Sequence, residues 1–321
     1  IEPAFILFSQ SISTTDNKAG ILLDFDCDAL IHYRHDNYLA ISADREIFKF
    51  QLGNNAYESA LFNDLRGFDS IGMMSDGAVS WKLNLLSPGE AGTITICVCA
   101  ASKLNDVKEN MKKIKEKSFM ELFNETKVYW EEFIKSARNI STGVKEIDSL
   151  YKRSLLVFAL MRDKKTGGIL AAPEIDEEFT RCGRYAYCWG RDAAFITSAL
   201  DICGLSQMSR QFYVWAAGVQ DTCGVWHQRY HVDGNLGPSW GIQIDETGTI
   251  IWGILKHYEF TKDKDFLIKM WKTVRLAVDF LINFTDAETG LPKPSFDLWE
   301  ERFGEHAYSS AAVYAGIRAG A

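Results

Sequence analysis

The 321-residue sequence has no excess of basic side chains. Its 35 Lys and Arg stand against 43 Asp and Glu, for a net charge of −8. Nucleic acid and anionic membrane surfaces need clustered cations, so neither is an expected partner. No apolar run approaches the roughly 18–20 residues that span a bilayer, which excludes a transmembrane helix. Cysteine in a metal-binding pattern is also missing. The seven cysteines (Cys27, Cys97, Cys99, Cys182, Cys188, Cys203 and Cys223) are scattered and odd in number. A chain this long needs no covalent staples, so they point to a reducing, cytoplasmic setting. Cys97 and Cys99 share a strand face, but no second pair at metal spacing accompanies them and no zinc is expected. The sequence opens on Ile1 rather than Met, which leaves its natural start open.

What is present is an ordinary globular composition, 47% hydrophobic and 24% charged, with length for about two domains of roughly 150 residues each. Tryptophan is the sharper feature. Seven of the nine (Trp189, Trp215, Trp226, Trp240, Trp252, Trp271 and Trp299) lie in the last part of the chain. Trp215, Trp252 and Trp271 fall on helical patterns and are expected in the core.

Residues 1–104 read as a β-rich domain, a β-sandwich or part of one. Ile21–Asp26, Tyr38–Ile41, Glu46–Leu52, Val79–Leu86 and Thr93–Ala100 are short β-branched or alternating runs between turn residues. Trp81–Leu86 and Thr93–Cys99 flank Ser87-Pro-Gly-Glu90 and read as a hairpin. Residues 105–143 read as linker helices, with the Lys/Glu run at 108–117 a solvated face. From Val144 onward six helical periods appear, at Val144–Met161, Arg191–Cys203, Ser206–Gln220, Ile244–Phe260, Asp263–Phe284 and His306–Arg318. The connections alternate between long and very short. In a stack of antiparallel helices this puts every long loop on one face, the expected place for a site in a helical toroid or solenoid.

Each long loop ends in a polar-aromatic cluster: Tyr185-Ala-Tyr-Cys-Trp-Gly-Arg-Asp192, Ser239-Trp-Gly-Ile-Gln-Ile-Asp-Glu246, and Phe296-Asp-Leu-Trp-Glu-Glu-Arg302. Pyranose rings need flat apolar faces, which Trp supplies, and planar polar groups for vicinal hydroxyls, which Arg, Asp and Gln supply. Hydrolysis of a glycosidic bond adds a protonated carboxyl and a second carboxylate. Asp192, Asp233, Asp245, Glu246, Asp297, Glu300 and Glu301 are the candidates. Taken singly, Asp192 and Asp245-Glu246 also read as first-turn helix acids, and Glu300 as a partner of Arg302. His227 and His231 sit four apart, but in a non-helical segment, and read as wall or loop packing rather than metal ligands.

Taken in order, these three motifs resemble those of glycoside hydrolase family fifteen: glucoamylases, glucodextranases and some archaeal and bacterial trehalases. The resemblance covers about residues 145–321 and is most specific over Asp297–Glu301. It implies a β-sandwich followed by an (α/α)6 toroid. It also implies an exo-acting, inverting α-glucosidase that releases glucose from the non-reducing ends of α-glucans or related glucosides. The partner is then an oligosaccharide or disaccharide α-glucoside, with no cofactor and no metal. By the same resemblance Glu300 is the general acid, its pKa raised by an apolar setting expected from Trp299 and Phe296, and Glu301 assists it. Arg191 and Asp192 hold the terminal glucose, and Tyr185, Trp189 and Trp240 form the aromatic wall. Leu298 and Trp299 line the same subsite, while Gln243 and Asp245 support the wall. Ile242 departs from eukaryotic glucoamylases on the leaving-group side, so maltooligosaccharides, isomaltooligosaccharides and trehalose stay open.

Other readings remain: a non-catalytic α-glucan-binding protein, or another (α/α)6 enzyme such as an epimerase or polysaccharide lyase. The toroid has six hairpins, and only half of its helices fit into 144–321. The chain is therefore expected to be a piece that lacks the general base, binds glucose poorly and hydrolyses nothing alone.

Overall fold

The computed structural model describes residues 4–9, 19–53, 55–68, 76–174 and 185–321; Cys182 and part of the first long loop lie outside these. The chain divides into two compact units, Ile1–Val128 and Tyr129–Ala321.

In the first unit the order is β1 (Ala4–Ser9), β2 (Ala19–Asp24), β3 (Ala29–Arg34), β4 (Asn37–Ala43), β5 (Lys49–Leu52), α1 (Ala56–Leu61), β6 (Gly67–Phe68), β7 (Gly77–Lys82), β8 (Ile96–Ala101) and α2 (Leu104–Lys115). Helix α3 (Phe119–Ser136) follows, and the division between the units falls inside it. Two four-stranded sheets form, ordered β1-β7-β5-β6 and β2-β3-β4-β8. Leu30, Ala43, Leu52, Val79 and Trp81, drawn from both sheets, share one core. Ala29 and Ile31 point the other way, toward Ala40, Cys97 and the α2 residues Val107 and Met111. Strand β3 is thus buried on both faces and shows no alternation, which is why its sequence carries no strand pattern. Cys97 and Cys99 lie in this second cluster, beneath α2, and burial raises both thiols.

Two expectations are corrected here. The hairpin between Trp81–Leu86 and Thr93–Cys99 does not form. Strand β7 pairs with β1 and β5, while β8 pairs with β4 in the other sheet. The Ser87–Glu90 turn is present, but Leu85 and Leu86 on the way to it are exposed. Arg45 holds the crossing by donating to the carbonyls of Lys82 and Thr93, a contact too remote in sequence for a local pattern to report. The Lys-rich face of α2 is not simply solvated either. Lys108, Lys112 and Lys115, at helical spacing, meet Asp24, Asp26 and Asp28 at 2.7, 2.6 and 2.5 Å. With Val107 and Met111, these pairs fix α2, the first helix of the expected linker, onto the second sheet.

The second unit holds α4 (Lys145–Met161), α5 (Gly190–Ile202), α6 (Ser206–Val219), α7 (Ile244–Thr261), α8 (Lys264–Asn283) and α9 (Ala307–Gly320), each within two residues of its expected limits. A small hairpin, β9 (Ser295–Phe296) with β10 (Phe303–Gly304), sits between α8 and α9. Helix α7 lies against both α5 and α9, and these three helices begin where the three long loops end. The α7–α9 approach depends on missing side chains. A Cβ on Gly248 would collide with the Ala312 backbone, and one on Gly316 would lie 2.7 Å from the Gly248 Cα. Gly248→Ala is therefore expected to lower stability by about 1–3 kcal/mol through overpacking, read as a fall in thermal midpoint; an unchanged midpoint would show that α9 can shift freely.

Of the helical tryptophans, Trp215 and Trp252 are half-buried, but Trp271 is 58% exposed. The buried stripe of α8 runs Phe266, Met270, Val274, Ala277, Leu281, and position 271 falls off it. No helix among the described residues is long and apolar enough to cross a membrane.

Candidate active site

The three long loops meet over the start of α5. Together they enclose a cavity of about 440 Å³ lined by Ala171, Tyr185, Trp189, Arg191, Asp192, Arg229, Trp240, Leu298, Trp299 and Glu300. Eight of these are among the candidates named from sequence; Gln243, Asp245 and Glu301 are not in the lining.

Position in the first loop is set by backbone pairing. Cys188 and Tyr230 exchange N–H···O bonds of 2.8 and 3.0 Å, which ties the first loop to the second. Trp189 follows, with its ring against Tyr185 and edge-on to Tyr187. Its indole Nε1 donates to Glu300 Oε1 at 2.9 Å, across 111 residues of chain.

The third loop is wound around one side chain. Asp297 Oδ1 accepts from the backbone N–H groups of Glu301 and Arg302 at 2.9 and 3.1 Å, and the Glu300 N–H donates to the Asp297 carbonyl. Glu300 takes a left-handed backbone, φ 64°, which costs a non-glycine residue of order 1 kcal/mol and persists only where the surroundings impose it. Gln243 Nε2 donates to the Asp297 carbonyl at 2.6 Å and Phe296 N–H to the Ile242 carbonyl at 3.0 Å. Gln243 thus holds the loop from below. Glu301 is exposed, outside the cavity, and meets the turn through its backbone.

The apolar cover expected over Glu300 from Trp299 and Phe296 is not how these rings are placed. Trp299 is 74% exposed, and Phe296 lies edge-on to Phe303 across the β9–β10 hairpin. What meets the Glu300 carboxyl is the Trp189 indole N–H.

Burial opposes ionisation of Asp297, but the N–H groups of Arg302 and Glu301 outweigh it and hold its pKa below the usual value of 3.8. A lowered folded pKa gives stability that is complete above the unfolded value and is lost as pH falls through the folded one. Asp297→Asn is therefore expected to lower the thermal midpoint at about pH 6. The difference from the parent should close on acidification below pH 3.8; a deficit that persists at low pH would show the carboxylate charge is not what matters.

Beneath the cavity lies an ionic cluster at two helix starts. Arg191 Nη1 lies 2.6 Å from Asp245 Oδ2 and 3.0 Å from Glu246 Oε1, and the Arg191 backbone N–H donates to Glu246 Oε2 at 2.7 Å. Asp245 and Glu246 are both 0% exposed. Burial pushes Glu246 well above the usual carboxylate range, against the pull of Arg191. Burial disfavours the Arg191 charge, but Glu246 and Asp245 more than compensate and raise its pKa. Asp192, half-exposed at the cavity wall, is also raised by desolvation. First-turn placement and site placement are therefore the same fact: α5 and α7 begin at the cavity.

Sequence reasoning did not single out Arg229, and it named Glu246 among the candidate carboxylates without assigning it a role in the site. Arg229 lies in the segment 226–234, where the histidines drew the attention. His227 pairs weakly with Asp221 at 3.5 Å and His231 stacks edge-on to Tyr187. Among the described residues no group of three or more His, Cys, Asp or Glu is placed to hold a metal.

Comparison with known proteins fits this geometry. The family model described as glycosyl hydrolases family 15 matches residues 146–321, and the chain belongs to that family. An uncharacterized glycosyl hydrolase of Methanocaldococcus jannaschii is 30% identical over 98% of this chain and 51% of its own length. A protein named Trehalase 2, from Sulfolobus acidocaldarius, is 25% identical over 48% of this chain and 31% of its own. The chain thus spans about half the length, or less, of the curated relatives it matches. A bacterial glucoamylase complexed with acarbose shares the fold, with a TM-score of 0.67 at 17% identity, over 91% of this chain and 45% of that one.

Proposed function

We propose that the chain carries the acid side of an exo-acting, inverting α-glucosidase site of the glucoamylase type, and that its six later helices form half of an (α/α)6 toroid. One observation carries this reading: three loops far apart in sequence bring Trp189, Arg191, Asp192, Trp240 and Glu300 to one cavity. Trp189, Trp240 and Trp299 offer faces for the C–H sides of sugar rings. Arg191 and Asp192 offer planar groups for the hydroxyls of a terminal glucose, which limits cleavage to chain ends. Glu300 protonates the departing glycosidic oxygen, and Glu301 supports it through the turn on Asp297. The second carboxylate, which activates water from the opposite face at roughly 6.5–9.5 Å, is assigned to the other half of the toroid, outside this chain. The substrate is an oligosaccharide or disaccharide α-glucoside.

A second reading of specificity, for α,α-trehalose, is favoured by the similarity to a protein named as a trehalase. The test is to incubate the natural full-length protein with maltose, isomaltose and trehalose and to read the products by proton NMR. From maltose or isomaltose, β-glucose released first from the non-reducing ring supports inversion, and from trehalose one α- and one β-glucose do; α-glucose from the ring whose anomeric carbon is attacked would overturn it. No release from any of the three would favour a sugar-binding protein without hydrolysis.

A further inference from the structure

Among the described residues, Arg229 is a cation of the cavity with no counter-ion. It is 7% exposed, and no carboxylate among the described residues pairs with it. The other arginine of the site, Arg191, has Asp245 and Glu246 at 2.6 and 3.0 Å and Asp192 at 3.9 Å. Arg229 is instead surrounded by π faces: its guanidinium carbon lies 4.9 Å from the Tyr187 ring centroid, 4.8 Å from Trp240 and 5.4 Å from Trp189. Its Nε donates to the Pro238 carbonyl at 2.5 Å, and its own carbonyl accepts from the Gly237 N–H at 3.0 Å. Side chain and backbone are therefore both pinned to the second loop.

Burying a charge without a carboxylate is costly, and fold stability alone would be served as well by an apolar residue. A planar guanidinium suits this position for a specific reason. It can stack on several ring faces at once while a nitrogen still donates in its plane, which an ammonium cannot do. Two of the three rings come from the first loop and one from the second. Of these, Trp189 is the ring whose N–H meets Glu300. Movement of the cage is thus transmitted directly to the only side-chain hydrogen bond given to the Glu300 carboxyl among the described residues.

We propose that Arg229 is a positioning residue: through its cage it fixes the Trp189 ring, and through the Trp189 indole N–H it fixes the Glu300 carboxyl. The proposal rests on the glucosidase reading for its kinetic consequence, but not for its structural one, and the two are tested separately.

The structural test uses the full chain labelled with 15N-tryptophan. Trp189→Phe assigns the Trp189 indole signal, and Glu300→Gln shows that the signal senses the Glu300 carboxyl. In Arg229→Met the Trp189 indole signal is expected to shift and its hydrogen exchange to accelerate, on the order of tenfold or more, while buried Trp226 keeps its signal. Arg229→Lys, which keeps the charge but not the plane, should fall between. The kinetic test uses the natural full-length protein on whichever glucoside it hydrolyses. Arg229→Met is expected to lower kcat by on the order of 10–100-fold with KM changed little, and Arg229→Lys to recover part of it. An unchanged Trp189 signal in Arg229→Met overturns the proposal, as does a loss confined to KM. If no glucoside is hydrolysed, the glucosidase reading fails and the indole signal alone decides. If Arg229→Met also disturbs Trp226, the Arg229→Lys spectrum decides: a Trp189 signal identical to the parent overturns the proposal.

Discussion

In the natural full-length protein, Glu300→Gln is expected to reduce glucose release from an unactivated α-glucoside by about 10²–10⁴-fold, the usual share of a general acid. KM should change little. The amide is isosteric, and its oxygen can still accept from the Trp189 indole, so the cavity and the thermal midpoint should be retained. A substrate whose leaving group needs no proton separates this role from others: α-glucosyl fluoride should recover most of the lost rate. Release unaffected by the substitution would remove Glu300 from the acid role. Failure of the fluoride to recover the rate would point to lost positioning instead.

The largest effect on stability is expected at Arg191. Arg191→Met leaves Asp245 and Glu246, both fully buried, facing each other without their cation. Removing one partner from a buried ionic cluster costs about 3–5 kcal/mol, which for a unit of this size lowers the thermal midpoint by roughly 10 °C. The sign of the cause can be checked by adding Glu246→Gln. Neutralising one of the two carboxylates should restore part of the loss, although the second substitution is itself in the core. A double variant less stable than Arg191→Met would mean that the unpaired carboxylate charge is not the cause of the loss. Sugar affinity should not return in the double variant, since the guanidinium that faces the cavity is still gone.

The helices of the second unit were legible because each carries an apolar stripe with period 3.6, and the long loops because they are long. Convergence of the loops followed from the alternation of long and short connections, whereas the eight cavity residues named from sequence came from the resemblance of the three motifs to those of the family. All the misses but Trp299 have one cause: they depend on partners distant in the sequence. Strand β3 has no alternation because α2 covers its second face. The β7–β8 hairpin fails because Arg45 and the neighbouring strands draw its two arms into different sheets. Arg229 has a local context of histidines that resembles a metal pattern, and its role appears only when Tyr187, Trp189 and Trp240 are brought around it. Trp299, expected as cover for the acid, is exposed because the turn around Asp297 directs Glu300 inward and Trp299 outward.

The hydrogen bonds from Gln243 to the Asp297 carbonyl and from Phe296 to the Ile242 carbonyl bear on how such a site can change over time. The loop that carries Glu300 is not an independent module, because its geometry is written partly in the segment before α7. A transplant of residues 295–304 alone into a relative should deliver the right side chains in the wrong place. The two segments have to be exchanged together, and substitutions at Gln243 should constrain which sequences the 295–304 hairpin can accept.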